Sequence, residues 1–254
     1  MDKKLIAQRF AKAASSYGEE ATVQRLIAGK MASILALYIQ KENRRNILEI
    51  GCGTGIFSRM LIGLLKPERM LLNDICPEMH EQLKDIVNDR IIFRSGDAET
   101  YPFGQTNEIY DVIASCSAIQ WFKDPDAFFT RMHPLLATEG ILAFSTFGND
   151  NMKEISALTG QGLPYFSPEE LKVKLSDRYH LLYISAEKIC KRFGDPKDVL
   201  YHLKRTGVTG IRQQPWTRTR FIRFCDEYRT RYGDEGEVIL TYHPVYIIAQ
   251  KKKT

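Results

Sequence analysis

The feature that most constrains the fold is a short apolar run that ends in alternating glycines, the sequence NILEIGCGTG at residues 46–55. Glycine has no Cβ and tolerates positive φ, so a chain that carries Gly51, Gly53 and Gly55 can turn sharply beneath a bound molecule and then begin a helix. The spacing GxGxG departs from the GxGxxG of pyrophosphate-binding turns. The segment therefore predicts the first strand, turn and helix of a nucleoside-binding α/β sheet.

Two further apolar runs end in residues that suit a nucleoside. Residues 69–74 end in Asp74, and a carboxylate at that place can accept hydrogen bonds from both hydroxyls of a ribose. Residues 91–95 lead to Asp97 and Ala98, where a side-chain acceptor beside a backbone N–H can read the amino edge of adenine. We therefore predict that the ends of the first three strands bind an adenosine group.

The GxGxG turn, with Glu49 two residues before its first glycine, resembles the Rossmann-like class of S-adenosylmethionine-dependent methyltransferases. The resemblance implies that S-adenosylmethionine is the cofactor and S-adenosylhomocysteine the product. The predicted cofactor-binding residues are Glu49, Gly51, Gly53, Gly55, Asp74, Ile75, Asp97, Ala98 and Ser115.

Strands and helices alternate along the chain, which predicts a doubly wound α/β fold. We expect a mainly parallel seven-stranded sheet whose last strand is antiparallel. Two helices within residues 1–42 precede the first strand, and further helices follow strands near residues 54–65, 78–88 and 125–136. The whole chain, residues 1–254, is predicted to form one domain.

The last part of the chain predicts two antiparallel strands with a long insertion between them. The strands are residues 179–193 and 238–250, and the sequence YHP at residues 242–244 marks a bulge or kink in the second strand. The interval at residues 194–235 is too long for a hairpin loop and contains two segments with a helical pattern. We predict a helical insertion that lies over the carboxyl edge of the sheet as a lid.

Composition limits the cellular setting. A hydrophobic content of 44% and a charged content of 26% are typical of a soluble globular protein. No apolar stretch approaches the roughly 18 residues of a membrane helix, and the first residues lack the apolar core of a signal peptide. Five cysteines without a CxxC pair indicate neither a disulfide frame nor a zinc site. We therefore expect a cytoplasmic protein with no metal and no membrane partner.

Positive charge is concentrated in one block of the sequence. Residues 188–231 contain twelve Lys/Arg against four Asp/Glu, a net charge of +8 in a chain whose total is +5. Such a block is either a solvated face or a docking surface for an acidic macromolecule, whether nucleic acid or an acidic carrier protein. The charge pattern leaves these readings open.

The segment after the fourth strand limits the methyl acceptor. Residues 109–115 form that strand, and CSAIQW at residues 116–121 follows at the edge where a methyl group would meet its acceptor. The Asn/Asp-Pro-Pro-aromatic loop typical of nucleobase amine methylation is missing there. Cys116 has no sequence neighbour that would activate its thiolate. Asp111 begins its strand, so the carboxylate cluster of a magnesium-dependent catechol site is not evident.

A carboxylate acceptor fits these limits best. It is already ionised at pH 7, because its reference pKa is about 4, and it needs no general base. It needs hydrogen-bond donors or a cation to orient it and an aromatic wall to exclude water. Tyr17, Gln120, Trp121 and His243 are candidates for such a site, and Arg131 is a further candidate for pairing with the substrate carboxylate.

Six segments together resemble the malonyl-[acyl-carrier protein] O-methyltransferase family of biotin synthesis. They are FAKAASSY at residues 10–17, LEIGCGTG at 48–55, GDAE at 96–99, SAIQW at 117–121, LKRTGV at 203–208 and LTYHPVY at 240–246. The resemblance implies methyl transfer to the free carboxylate of malonyl-acyl carrier protein or malonyl-coenzyme A, giving the ester that primes pimeloyl synthesis. It also implies catalytic roles for Tyr17, Gln120 and Trp121.

The same resemblance implies a partner for the basic block. Acyl carrier protein is acidic and helical, so cations on the insertion would attract it. The predicted docking residues are Lys204, Arg205, Arg218, Arg220 and Arg223. We expect no nucleic-acid partner, and the sequence makes no prediction of the oligomeric state.

Other readings stay open at the level of sequence. The chain could methylate a small carboxylic acid or a quinone ring, and the basic insertion argues weakly against both. An RNA methyltransferase would bind nucleic acid with a steep salt dependence. A binding module for S-adenosylmethionine without transferase activity would have an acceptor site that is blocked or open to solvent.

Overall fold

The computed structural model describes residues 2–39, 45–103, 108–208 and 216–253. In chain order the strands are β1 (Asn46–Ile50), β2 (Arg69–Asp74), β3 (Ile91–Ser95), β4 (Tyr110–Cys116), β5 (Leu136–Phe147), β6 (Tyr179–Ala186), β7 (Ile189–Phe193), β8 (Gly233–Asp234), β9 (Glu237–Tyr242) and β10 (Pro244–Lys251). The helices are α1 (Lys3–Glu20), α2 (Thr22–Tyr38), α3 (Ile56–Leu65), α4 (Met79–Gln82), α5 (Pro125–Met132), α6 (Lys153–Thr159), α7 (Pro168–Ser176), α8 (Pro196–Arg205) and α9 (Arg218–Tyr232).

Seven strands form the main sheet in the order β3-β2-β1-β4-β5-β10-β6. The pairs from β3 to β5 are parallel, and β10 runs antiparallel to both β5 and β6. The predicted mainly parallel sheet with an antiparallel last strand is therefore confirmed. This order brings the carboxyl ends of β1, β2, β3 and β4 to one edge, where the sequence predicts the cofactor.

Helices cover both faces of the sheet. On one face, apolar residues of α2 and α3 pack against β1, β4 and β10, and Ile27, Met31 and Leu61 are fully buried there. On the other face, α5 and α7 supply Phe128, Phe129 and Leu175. A strand covered on both sides reads as a continuous apolar run, and β10 is such a strand, with Val245, Tyr246, Ile247, Ile248 and Ala249 all fully buried.

The two predicted closing strands each break and change sheets. Residues 179–193 form β6 in the main sheet and then β7 in a second sheet of order β7-β9-β8, while residues 238–250 form β9 in the second sheet and then β10 in the main one. His243 therefore lies between two strands and is not a bulge within one strand. Its backbone leaves the ladder, because its N–H donates to Asn151 Oδ1 and its carbonyl accepts from Gly148.

Two predicted helices are shorter than their sequence patterns. The helix expected near residues 78–88 is only α4, which has no side-chain cap and passes into turns whose N–H groups bond back to the Leu83 carbonyl. The helix expected near residues 125–136 ends at Met132, and a 3₁₀ turn that contains Pro134 follows it. Proline has no N–H to donate and its ring crowds the preceding turn, so an α-helix does not continue through it.

The segment between β7 and β9 contains α8, α9 and the short strand β8. α8 packs against α1, β7 and α9, so the first of the two predicted insertion helices lies beside the N-terminal helix. Among the described residues, no helix combines the length and the apolar character that a bilayer crossing requires.

The glycine turn gives a test of the fold. Gly51 has φ +69°, and an added Cβ would overlap the Cβ of Ala118, whereas Gly53 has φ +52° and no heavy atom within 4 Å of the same position. Gly51→Ala should lower the free energy of unfolding by roughly 2–4 kcal/mol, through left-handed strain and overlap together. Gly53→Ala should lower it by about 1–2 kcal/mol, through strain alone.

Urea unfolding of the cofactor-free variants measures both values. Equal destabilisation of the two variants would show that the contact of Gly51 with Ala118 does not constrain the turn.

Candidate active site

The turn after β1 is fixed by hydrogen bonds to the end of β2. The N–H groups of Gly51 and Cys52 both donate to the Asn73 carbonyl, at 2.8 and 3.0 Å. The Gly53 N–H donates to Asp74 Oδ2 at 2.8 Å, and the Cys76 N–H donates to Asp74 Oδ1 at 2.8 Å. Burial raises the pKa of Asp74, and these backbone donors oppose that rise. The Asp74 carboxylate is therefore part of the frame that holds the turn.

A cavity of about 1080 Å³, its mouth included, lies above this turn. We call it the cofactor cavity, and the predicted residues that line it are Glu49, Gly51, Gly53, Asp74, Ile75, Asp97 and Ala98. Gly55 and Ser115 lie outside its described lining: Gly55 caps α3, and the Ser115 hydroxyl donates to the Ile50 carbonyl at 3.0 Å. The sheet edge predicted from sequence thus carries a cavity that most of the predicted cofactor-binding residues line.

Two buried oxygens in the cofactor cavity have no hydrogen-bond partner among the described residues, Glu49 Oε2 and Gln24 Oε1. Glu49 is only 1% exposed, and burial raises its pKa to about 8, with a smaller opposing effect from the Ser58 hydroxyl. A buried acceptor without a donor is costly unless a ligand supplies one. S-adenosylmethionine carries an amino group and a positive sulfur, so these oxygens fit it, and the open space at Gly53 leaves room for its approach.

Helix α1 covers the cofactor cavity. Its residues Ile6, Phe10 and Tyr17 line the cavity, and the Lys3 ammonium forms ion pairs with Asp97 and Glu99. The Glu99 N–H also donates to Asp97 Oδ1, at 3.0 Å. Asp97 therefore lies at the wall as predicted, with a carboxylate that already accepts from Lys3 and from the backbone.

A second, smaller cavity of about 390 Å³, its mouth included, adjoins the first. It shares with the cofactor cavity a wall made of Phe10, Tyr17, Gln24, Ser117 and Trp121. We call it the acceptor cavity. The predicted catalytic residues Tyr17, Gln120 and Trp121 all line it. The sheet edge thus places a second compartment directly beside the one predicted for the cofactor.

The described lining of the acceptor cavity is neutral, with no Asp, Glu, Lys, Arg or His. The Tyr165 hydroxyl accepts from Asn151 Nδ2 at 2.8 Å, which leaves its own hydrogen for the cavity, and the structure records no hydrogen bond for the Tyr17 hydroxyl among the described residues. Burial raises the pKa of Tyr165 to about 12 and that of Tyr17 further. Both phenols are therefore neutral donors at pH 7.

Tyr242, also on this wall, is held by a buried histidine. His202 Nε2 lies 2.7 Å from the Tyr242 hydroxyl, and its Nδ1 lies 3.1 Å from Glu20 Oε2. Burial lowers the pKa of His202, so the ring is neutral at pH 7. With the proton on Nδ1, the ring donates to Glu20 and accepts from Tyr242. These two hydrogen bonds join α1, α8 and β9 behind the acceptor cavity.

Gln120 lies in a strained corner of the same cavity. Its Nε2 donates to the carbonyl of Ser117, whose φ of +55° is unusual for a residue with a side chain. Gln120 Oε1 is buried and has no partner among the described residues. The amide therefore offers an acceptor to any ligand of the acceptor cavity.

Two other predicted residues lie away from both cavities. Arg131 donates to the carbonyls of Ala98, Glu99 and Tyr101, so its guanidinium is used by the backbone and does not reach the acceptor cavity. His243 Nδ1 accepts from the Asp150 N–H at 3.1 Å, and burial lowers the pKa of this imidazole. His243 therefore holds the loop that carries Asn151 and stands behind the acceptor cavity.

The five predicted docking residues lie on α8 and α9. Lys204, Arg218 and Arg220 are exposed. Arg223 is also exposed and pairs with Glu227 at 2.7 Å, while Arg205 pairs with Glu20 at 2.9 Å. Arg205 thus joins α8 to α1 and is less accessible than the others.

Several residues that line these cavities were not predicted from the sequence. Phe10 and Gln24 come from α1 and α2, Tyr165 comes from the segment before α7, and Tyr242 ends β9. Each is distant in sequence from the glycine turn, and only tertiary packing brings them together. Two segments of the family resemblance contained such residues: FAKAASSY begins with Phe10, and LTYHPVY contains Tyr242. Among the described residues, no group of three or more His, Cys, Asp or Glu is placed to hold a metal.

Comparison with known proteins shows which family has this architecture. The family described as a methyltransferase domain matches residues 21–194. The malonyl-[acyl-carrier protein] O-methyltransferase of Bacteroides fragilis is 49% identical over 251 residues, which cover 98% of this chain and 51% of that protein. The chain thus spans about half the length of that relative. The protein of the same name from Bacteroides thetaiotaomicron is 48% identical, with 100% of both chains covered.

Solved structures show the same fold at low sequence identity. The YcgJ protein from Bacillus subtilis superposes with a TM-score of 0.62 at 15% identity, covering 89% of this chain and 100% of that chain. At this identity the likeness bears on the fold alone.

We expect Glu49 to make binding of S-adenosylmethionine depend on pH. Its carboxyl is protonated below a pKa of about 8 in the free protein and must lose that proton before it can face a cationic amino group. The affinity should therefore fall by up to about tenfold per unit as pH drops from 8 to 6. Glu49→Gln should weaken binding at pH 8 and remove this dependence, as measured by calorimetry.

The same carboxyl predicts an effect on stability. Because its folded pKa is raised, the neutral form stabilises the cofactor-free protein at low pH, and that stabilisation is lost as pH rises through about 8. Glu49→Gln should therefore raise the Tm relative to the unsubstituted protein above pH 8.

The affinity prediction has its own contradicting outcome. If the affinity for S-adenosylmethionine still depends on pH in Glu49→Gln, a group other than Glu49 causes that dependence.

Proposed function

The chain belongs to the malonyl-[acyl-carrier protein] O-methyltransferase family, and from this membership we propose that it methylates the free carboxylate of a malonyl thioester carried by acyl carrier protein. The resemblance noted in the sequence is confirmed at the level of the family. The observation that carries the proposal is the acceptor cavity, which adjoins the cofactor cavity and has a neutral described lining.

A neutral cavity suits a carboxylate acceptor and disfavours acceptors that must lose a proton. S-adenosylmethionine supplies a methyl group on a positive sulfur: a carboxylate oxygen bonds to the methyl carbon as the S–C bond breaks, giving S-adenosylhomocysteine and a neutral ester. Opposite charges cancel during this reaction, so surroundings of low polarity favour the transition state over the separated ions. No general base is needed, which agrees with the absence of an Asp, Glu, Lys or His from the described lining.

Two phenols have the geometry to orient the substrate. Tyr17 and Tyr165 present neutral hydroxyl donors to the cavity, and each can donate one hydrogen bond to a carboxylate oxygen. Trp121 packs edge-on against Phe10, with ring centroids 5.5 Å apart, and this pair supplies apolar surface to the wall that the two cavities share. Orientation and dehydration are the main contributions that such a displacement requires.

The charge on the insertion supports an acidic partner. The first turn of α9 carries Arg218 and Arg220 and no acid, although the amino end of a helix is itself positive. This arrangement raises the local potential and favours an anionic surface such as that of acyl carrier protein. We assign residues 194–235 to a lid that docks the carrier. The five cysteines are unpaired, which agrees with a cytoplasmic setting.

Methyl transfer from labelled S-adenosylmethionine tests the proposal. Malonyl-acyl carrier protein should acquire base-labile label, and acetyl-acyl carrier protein, which lacks a free carboxylate, should acquire none. Label on neither form, with the cofactor bound, would overturn the proposed acceptor.

The phenols give a sharper test of the site. Tyr17→Phe and Tyr165→Phe should each lower kcat/KM for malonyl-acyl carrier protein by about 10- to 100-fold, because each removes a hydrogen bond to a charged carboxylate. Tyr38→Phe is the matched control, since Tyr38 packs against Tyr183 and lines neither cavity. Steady-state kinetics provide the comparison, and unchanged kcat/KM in both site variants would exclude these donors.

A further inference from the structure

A third cavity, which opens to the surface, borders the acceptor cavity. It has a volume of about 1400 Å³ with its mouth included, and it shares Asn151, Met152, Tyr165 and Val208 with the acceptor cavity. We call it the outer groove. The cofactor cavity, the acceptor cavity and the outer groove thus lie in series, with each neighbouring pair sharing a wall.

The inner part of the outer groove is apolar and contains one buried, unpartnered polar atom. Ile155, Leu200 and Phe221 contribute apolar surface. Gln161 Oε1 is buried and has no hydrogen-bond partner among the described residues. A ligand that fits here therefore has an aliphatic body and an N–H donor.

The outer part of the groove is positive. Lys197 and Lys204 are exposed on α8, about 10 Å apart along the helix axis, and Arg9 of α1 also lines the groove. Tyr201, between the two lysines, is 58% exposed. The described lining includes no Asp or Glu. The groove thus ends in an anion-attracting rim.

We propose that the outer groove binds the 4′-phosphopantetheine arm of the carrier protein. The arm carries, in order from the thioester, two amides with N–H donors, a branched aliphatic segment and a phosphate. We assign the acceptor cavity to the malonyl group, the buried Gln161 oxygen and the apolar wall to the arm, and the exposed Lys197 and Lys204 to the phosphate. This inference rests on the proposed function and adds to it the path by which the substrate enters.

Competition against turnover of malonyl-acyl carrier protein tests the phosphate end. Free 4′-phosphopantetheine should inhibit the unsubstituted protein about tenfold more strongly than pantetheine, because only the former has a charge for the lysines. The double variant Lys197→Glu, Lys204→Glu should lose this difference. Lys172→Glu, a charge reversal at an exposed site on α7 that lines none of the three cavities, should keep it.

A steric variant tests the body of the groove. A Cβ on Gly162 would meet only Ser156 Cβ, at 3.4 Å, so the backbone tolerates a side chain that projects into the groove. Gly162→Phe should lower kcat/KM for malonyl-acyl carrier protein by at least about tenfold while cofactor affinity and Tm stay unchanged. If this variant does not fold, the lysine variants and the competition decide.

The outcomes separate the two proposals. No turnover of malonyl-acyl carrier protein by the unsubstituted protein would overturn the proposed function and this inference with it. Turnover without an advantage of 4′-phosphopantetheine over pantetheine, or with an advantage that survives in the double lysine variant, would overturn the groove assignment alone. Unchanged kinetics in a folded Gly162→Phe would do the same.

Discussion

The hydrogen bonds between the glycine turn and the end of β2 are the constraint on which the site depends. Gly51, Cys52 and Gly53 donate to Asn73 and Asp74, and the positive φ at Gly51 makes this approach possible. Without these bonds, buried backbone N–H groups would lack partners and the floor of the cofactor cavity would not form. Asp74 therefore both stabilises the turn and faces the cavity. It can do both because it is the last residue of β2.

Helix α1 extends this floor into an enclosed site. Lys3 pairs with Asp97 and Glu99 near one end of the helix, and Glu20 pairs with His202 and Arg205 at the other. Between these anchors, Phe10 and Tyr17 line both the cofactor cavity and the acceptor cavity. The helix thus joins the sheet edge at the cofactor cavity to the basic insertion.

The electrostatic pattern along the three cavities matches the proposed reaction. The cofactor cavity offers Glu49 and Gln24 oxygens to a cation, the acceptor cavity has a neutral described lining, and the rim of the outer groove carries Lys197 and Lys204. Under the proposals made above, a carboxylate would lose its charge in the middle compartment while a phosphate would keep its charge at the surface. Each charge thus meets an environment suited to it, which limits the desolvation cost to the group that reacts.

Local sequence indicated the parallel strands of the main sheet, the glycine turn and seven residues that line the cofactor cavity, because apolar runs and glycines specify strands and turns through neighbouring residues alone. Tertiary structure decided the rest. Only packing shows that Arg131 bonds to backbone carbonyls, that His243 stands behind the acceptor cavity, and that Tyr165 and Tyr242 reach its wall. These side chains lie on separate elements, and their meeting depends on how helices and sheets pack, which no short sequence pattern encodes.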